Sequence, residues 1–283
     1  MASRRAMNKL KTPSGNNHSR QQQQATEALF QQGFQCFQQG RLAAAKTAFE
    51  QVLQQQPRHC NALYLLGAIA AQSKQPALAA ELIGRALDIV PGFAEGHYNL
   101  SVALMELQRP EQALASCDRA IALQPDYADA HYNRCLALQK LQQPEQAMAG
   151  YQRLLALHPG HVDACFNLGN LHRERQQWEQ ALACYDQALA SQPDHTEAYL
   201  QRGNVLLKLQ RPQDAVVSFD RVLALDPRHL DAHWRRGNAF MDLNQWDSAL
   251  GCYDQVIAQK PDNAHVHAKR AEAFWHLGRI DQA

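Results

Sequence analysis

Thirteen histidines and seven cysteines are the side chains of this 283-residue sequence best suited to metal or covalent chemistry. Their spacing argues against both uses. His97, His131, His233 and His267 stand at multiples of 34 residues from one another. Two histidines that hold one metal from a single helix stand four residues apart, whereas His265 and His267 point to different sides of a helix. These histidines are therefore expected to be structural. Cys36, Cys60, Cys117, Cys135, Cys165, Cys184 and Cys252 contain no CxxC pair. They read as small buried hydrophobes in a reducing compartment, ahead of a disulfide framework or a metal site. The sequence carries no phosphate-binding glycine loop and no Ser-His-Asp set that a repeat would assemble, so no catalytic residue, metal or cofactor is expected.

Recognition chemistry follows the same interval. Phe30, Tyr64, Tyr98, Tyr132, Phe166, Leu200 and Trp234 form one row. Asn99, Asn133 and Asn167 form a second, and Asn170, Asn204 and Asn238 a third. An asparagine amide offers one group that donates and one that accepts, the same pair a peptide bond offers. A row of amides can grip an extended backbone with little regard to its sequence, and adjacent aromatic rings add contact area. The alternative is that these amides bond between adjacent units and keep the stack in register. Arg202, Arg235, Arg236, Arg270 and Lys269 similarly offer either a local anion site or pairs with neighbouring acids.

The elements that must position these rows are set by proline. Pro57, Pro91, Pro125, Pro159, Pro193, Pro227 and Pro261 recur every 34 residues without insertion or deletion, the mark of stacked repeats. With each ladder proline as the thirty-second residue, repeats begin at Thr26, Cys60, Ala94, Ala128, Val162, Thr196 and Leu230, with a truncated eighth from Ala264. Position 20 is alanine in all of them, from Ala45 to Ala283, and position 8 is always small: Gly33, Gly67, Ser101, Cys135, Gly169, Gly203, Gly237 and Ala271. Glycine inside a helix costs about 1 kcal/mol against alanine, so its repetition predicts two helices in close approach. Each unit shows two stripes of 3.6 periodicity. The break between them carries Pro76, Pro110, Pro144 or Pro212, suited to a first helical turn, and Trp178 and Trp246 take that place in two units. At 100° per residue, positions 2, 5, 6, 9, 12 and 13 of the first helix share one face, and positions 3, 4, 7 and 11 form the packing face.

A 34-residue helix-turn-helix unit with small residues at positions 8 and 20 and proline at 32 resembles the tetratricopeptide repeat. The resemblance implies an all-α fold, an α-solenoid wound as a right-handed superhelix, over residues 26–283. It also implies a concave groove lined by the first helices. The candidate peptide-binding residues are then Tyr64, Tyr98, Asn99, Tyr132, Asn133, Phe166, Asn167, Asn170, Asn204, Trp234 and Asn238. Position 4 departs from the family's tryptophan, and Arg134, Arg202, Arg236 and Arg270 replace its usual leucine at position 7. Members that bind chaperone tails place lysine at position 5, where this chain has aromatic or aliphatic residues, so that partner class is disfavoured. The expected role is a non-enzymatic scaffold for a protein or peptide. The alternative is the substrate-recruiting repeat region of a larger glycosyltransferase, because a similar asparagine ladder lines the repeats of O-linked N-acetylglucosamine transferases.

Bulk properties bound the remaining classes. The formal net charge is +1, and residues 1–24 hold five cations (Arg4, Arg5, Lys9, Lys11, Arg20) and no acid, which leaves the rest near −4. Neither balance fits a nucleic-acid partner. The longest apolar run, Leu63 to Ala71, is about half a membrane span, and no apolar segment near the start reads as a secretory signal. A cytoplasmic protein with no membrane partner is expected, its oligomeric state open. Residues 1–24, basic and glutamine-rich, are expected to be a disordered lead-in. Because Ala283 falls within the second helix of the eighth unit and no polar cap follows, the parent protein is expected to continue.

Overall fold

The computed structural model describes residues 17–279, and among them every regular element is helical. The helices fall into two compact units, one ending at Leu141 and the other beginning at Gln142. The first contains α1 (Asn17–Gln38), α2 (Leu42–Gln55), α3 (Cys60–Gln72), α4 (Pro76–Ile89), α5 (Ala94–Glu106), α6 (Pro110–Leu123) and α7 (Ala128–Lys140). The second contains α8 (Pro144–Leu157), α9 (Val162–Glu174), α10 (Trp178–Ser191), α11 (Thr196–Lys208), α12 (Pro212–Leu225), α13 (Leu230–Asp242), α14 (Trp246–Gln259) and α15 (Ala264–His276). Within each unit successive helices pack on one another, as α1 on α2 and α2 on α3, or α9 on α10 and α10 on α11. First helices also touch the next first helix, as α3 on α5 and α11 on α13. This is the all-α stack of helix pairs that the 34-residue period demands.

The proline pattern sets the helix ends. Pro76, Pro110, Pro144 and Pro212 occupy the first turn of α4, α6, α8 and α12, and Trp178 and Trp246 open α10 and α14. Each ladder proline follows the residue that caps a second helix. Where position 4 is histidine, the ring adds a second fastening. His97, His131, His233 and His267 donate from Nε2 to the carbonyls of Pro91, Pro125, Pro227 and Pro261 at 2.9, 2.8, 2.9 and 2.7 Å.

Position 8 is small because position 24 fills the space beside it. A Cβ on Gly203 would lie 2.5 Å from Phe219 Cε1, and one on Gly237 would lie 2.5 Å from Tyr253 Cε1. Phe219, Tyr185 and Tyr253 are fully buried, as are the position-20 alanines from Ala45 to Ala249; Ala283 lies outside the described residues. The packing face is wider than positions 3, 4, 7 and 11. Position 10 is buried as well, as Ile69, Ala103, Ala137, Leu171, Val205, Ala239 and Ala273, because each first helix is flanked by its own second helix and by the preceding one.

Two features differ from the expectation. Of the lead-in, residues 1–16 lie outside the described residues, but from Asn17 onward the chain is helix. Thr26 ties this glutamine-rich turn down, its Oγ1 bonding the Gln22 carbonyl at 2.9 Å and Gln55 Oε1 on α2 at 2.7 Å. The break between paired helices also contains a left-handed residue at position 15. Gly40 and Gly278 adopt it with φ of 73° and 72°, and so do Lys74, Gln108, Gln142, Gln176, Gln210 and Asn244 with φ between 55° and 58°. The reversal lets the last carbonyls of the first helix be satisfied: Gln210 N–H donates to Leu207 O at 3.1 Å and Arg211 N–H to Leu206 O at 2.9 Å.

Candidate functional site

The aromatic row at position 5 leans on the residue that precedes the next first helix. Phe30 lies 4.8 Å from His59, Tyr64 4.7 Å from Phe93, Tyr98 5.2 Å from Tyr127 and Phe166 5.0 Å from His195, between ring centroids. In the last pair the neighbour shifts into the helix itself, where Trp234 lies 4.9 Å from His265, the second residue of α15. Four of the preceding residues are histidines with a second task. His59, His161, His195 and His229 accept at Nδ1 from the backbone N–H of Ala62, Ala164, Ala198 and Ala232 at 3.1–3.2 Å, and Asn263 does the same for Val266. Each is a helix N-cap. A ring that accepts at Nδ1 carries its N–H on Nε2. Tyr64, Tyr98, Tyr132, Phe166 and Trp234 remain half-buried.

The asparagines are half-buried too, and most have one end committed. Asn99 donates to the Tyr64 hydroxyl at 2.6 Å, and that hydroxyl donates to Glu95 at 2.9 Å. Burial raises the Tyr64 pKa well above the phenol range, and the Glu95 carboxylate adds to it. Asn133 donates to Ser101 Oγ at 3.0 Å. In the second unit Asn170 and Asn238 accept from the buried hydroxyls of Tyr185 and Tyr253 at 2.8 and 2.9 Å. Asn204 occupies the same repeat position, but its counterpart is Phe219, which has no hydroxyl. Its Nδ2 donates to Gln201 Oε1 at 3.2 Å, while its Oδ1 is buried without a partner. Asn167 is half-buried on α9.

The arginines of position 7 are paired, not free to form an anion site. Arg134, Arg202, Arg236 and Arg270 each contact an aspartate of the preceding second helix, Asp118, Asp186, Asp220 and Asp254, at 2.6 Å. Arg235 pairs with Asp231 at 2.7 Å and Lys269 with Glu272 at 2.7 Å. The pattern stands in the sequence: wherever position 7 is arginine, the residue sixteen earlier is aspartate, and where it is Leu66, Leu100 or Leu168 that residue is Glu50, Gly84 or Gln152. Among the described residues no group of three or more His, Cys, Asp or Glu is placed to hold a metal. All seven cysteines are free thiols. Burial pushes the Cys117 and Cys135 thiols up to about 11 and about 12, which removes them from nucleophilic chemistry near neutrality.

The candidate residues thus form a set of surfaces, one in each unit, built from first-helix side chains of an all-α repeat stack. Tetratricopeptide repeat models match residues 37–94, 132–194 and 166–229, 206–273, and 264–283, and a TPR repeat model matches 102–142. The chain belongs to the tetratricopeptide repeat family. No curated protein sequence matches it. Among solved structures it is similar to YrrB, described as a TPR protein with an unusual peptide-binding site. The two share 26% identity at a TM-score of 0.61 over 68% of this chain and 100% of YrrB. It is also similar in fold to MamA (23% identity, TM-score 0.56, 61% of this chain and 94% of MamA). A third similar fold is the C-terminal part of a TPR repeat-containing protein from Cytophaga hutchinsonii (11% identity, TM-score 0.73, 85% of this chain and 98% of that one). No helix among the described residues is long and apolar enough to cross a membrane.

Proposed function

We propose that this chain is an interaction scaffold that holds an extended peptide or partner segment against the open faces of its first helices. The observation that carries the reading is the repetition of half-buried amide and aromatic side chains at positions 5, 6 and 9. Tyr64, Tyr98, Asn99, Tyr132 and Asn133 contribute in the first unit, and Phe166, Asn167, Asn170, Asn204, Trp234 and Asn238 in the second. A half-buried amide keeps one end for the fold and offers the other to a ligand's backbone. Family membership and the likeness to YrrB support the same role. The glycosyltransferase alternative rests on the same asparagine rows.

The test is an array of extended peptides probed with the wild-type chain and with the variant Asn133→Ala/Asn167→Ala/Asn170→Ala. Thermal unfolding of both confirms that the stack is intact. Loss of most bound peptides in a folded variant supports the amide grip; an unchanged binding profile removes these residues from recognition.

A further inference from the structure

In the second unit a pocket of about 280 Å³ opens among α9, α10, α11 and α13. Its walls include Arg173, Trp178, Gln201, Asn204, Lys208 and Arg235, and no acid lines it. This departs from the charge arrangement elsewhere in the unit, where Arg202, Arg236 and Arg270 each meet an aspartate. Of the three cations in the pocket wall, Arg235 alone has an ion pair among the described residues, with Asp231. Arg173 lies on α9 beside the hydroxyl of Tyr185, whose pKa burial pushes up to about 12, so the contact brings Arg173 no negative charge near neutrality. Its Nε is buried and has no hydrogen-bond partner. Lys208 is exposed, stands in the last turn of α11 and lines the pocket.

A guanidinium with a buried N–H and no acceptor, beside an unpaired ammonium in a concave wall, is an incomplete ion pair. The missing member is an anion. The pocket lies among the amides of positions 6 and 9, Gln201 and Asn204, where an extended backbone would run under the proposed function. We infer that it receives the carboxylate of an aspartate or glutamate side chain in the bound peptide, with Arg173 and Lys208 as its partners and Trp178 as the apolar wall beside it. The inference rests on the peptide-binding reading and adds to it a chemical selectivity that the asparagine rows do not supply.

The experiment probes the full 283-residue chain with an array of random twelve-residue peptides that includes phosphoserine members. Each peptide retained is then resynthesised with every Asp and Glu changed in turn to Asn or Gln. The expected result is enrichment of one acidic position, an affinity loss of about tenfold or more when it is neutralised, and weakening of that contact at high salt. Lys208→Gln and Arg173→Gln should produce the same loss, and neutral peptides should not distinguish them from wild type. Lys208 is exposed, so its variant keeps the test valid where Arg173→Gln fails to fold. Peptides that bind through the amides but are indifferent to acid and to both variants overturn this inference and leave the proposed function standing. A dominant preference for phosphoserine overturns the carboxylate assignment. Capture of no peptide by the folded chain overturns both.

Discussion

Asn204 provides a sharp test of how the first and second helices are joined. In two repeats that flank a third, a buried tyrosine at position 24 donates to the position-9 asparagine, Tyr185 to Asn170 and Tyr253 to Asn238. In the repeat between them the ring is Phe219, and Asn204 Oδ1 is buried with nothing to accept. The rings occupy equivalent places, since a Cβ at Gly203 or at Gly237 would meet the Cε1 of Phe219 or Tyr253 at the same 2.5 Å. Phe219→Tyr therefore puts a hydroxyl where the other repeats already have one. A buried hydrogen bond contributes about 1 kcal/mol net; in a chain of this size that raises the melting temperature by about 3 °C. The reverse change, Tyr253→Phe, leaves the Asn238 acceptor unmet and costs about 1–2 kcal/mol. Unfolding followed by circular dichroism reads both, and Phe219→Tyr in an Asn204→Ala background should lose its gain. A Phe219→Tyr protein that melts at or below wild type would refute the reasoning, because the hydroxyl would then be overpacking the space and not completing it.

Three further outcomes follow from the local geometry. Gln210 holds a left-handed conformation at φ 56°, which costs a non-glycine residue about 1 kcal/mol. Gln210→Gly should recover most of that in a denaturant titration, while Gly40→Ala should lose a similar amount. The Arg202–Asp186 contact is half-exposed, so a double-mutant cycle with Arg202→Met and Asp186→Asn should give a coupling of about 0.5–1 kcal/mol at low salt that shrinks at high salt. For His59, burial lowers the pKa and outweighs the opposing pull of Glu27. The unfolded chain then binds that proton more readily, so stability is complete above the ordinary histidine value of about 6.5 and falls as pH drops below it. His59→Asn keeps a side-chain acceptor, as Asn263 does at the equivalent place, and should show a flatter pH dependence of melting than wild type between pH 7 and 5.

The regular part of the fold was legible because proline and glycine constrain the backbone directly. Cys60, Ala94, Ala128, Val162, Thr196, Leu230 and Ala264, taken from the proline ladder as repeat starts, are the first residues of α3, α5, α7, α9, α11, α13 and α15. What was not legible depends on which neighbour a side chain meets. Gln108, Gln176 and Gln210 give no sign of positive φ, and only Gly40, Gly278 and Asn244 at the same position carried the signal. The first helix starts at Asn17, before its repeat, and Thr26 finds Gln55 on α2, a contact that period alone does not contain. The two classes of histidine look alike in sequence but use different nitrogens, Nε2 against a proline carbonyl in His131 and Nδ1 as a helix cap in His161. The Arg–Asp pairs could have been found by comparing residues sixteen apart, a lag that becomes meaningful only once the second helix of one repeat is known to lie against the first helix of the next.

The hydrogen bonds also change how the amide rows should be tested. Asn170→Ala removes two things at once, the acceptor that Tyr185 uses and the amide N–H that a ligand carbonyl would use. Asn170→Asp separates them. A carboxylate still accepts from the Tyr185 hydroxyl, and Arg173, which bonds the same hydroxyl, faces the added negative charge. The second unit should therefore melt close to wild type. The group offered outward becomes an acceptor in place of a donor, so a peptide held by its carbonyl at this position should bind about tenfold more weakly. Titration of one array-selected peptide against the two proteins reads the difference. Equal affinity in two equally stable proteins would mean that Asn170 serves the fold alone. Loss of stability in Asn170→Asp would mean that the Tyr185 bond is not what this residue contributes to the stack.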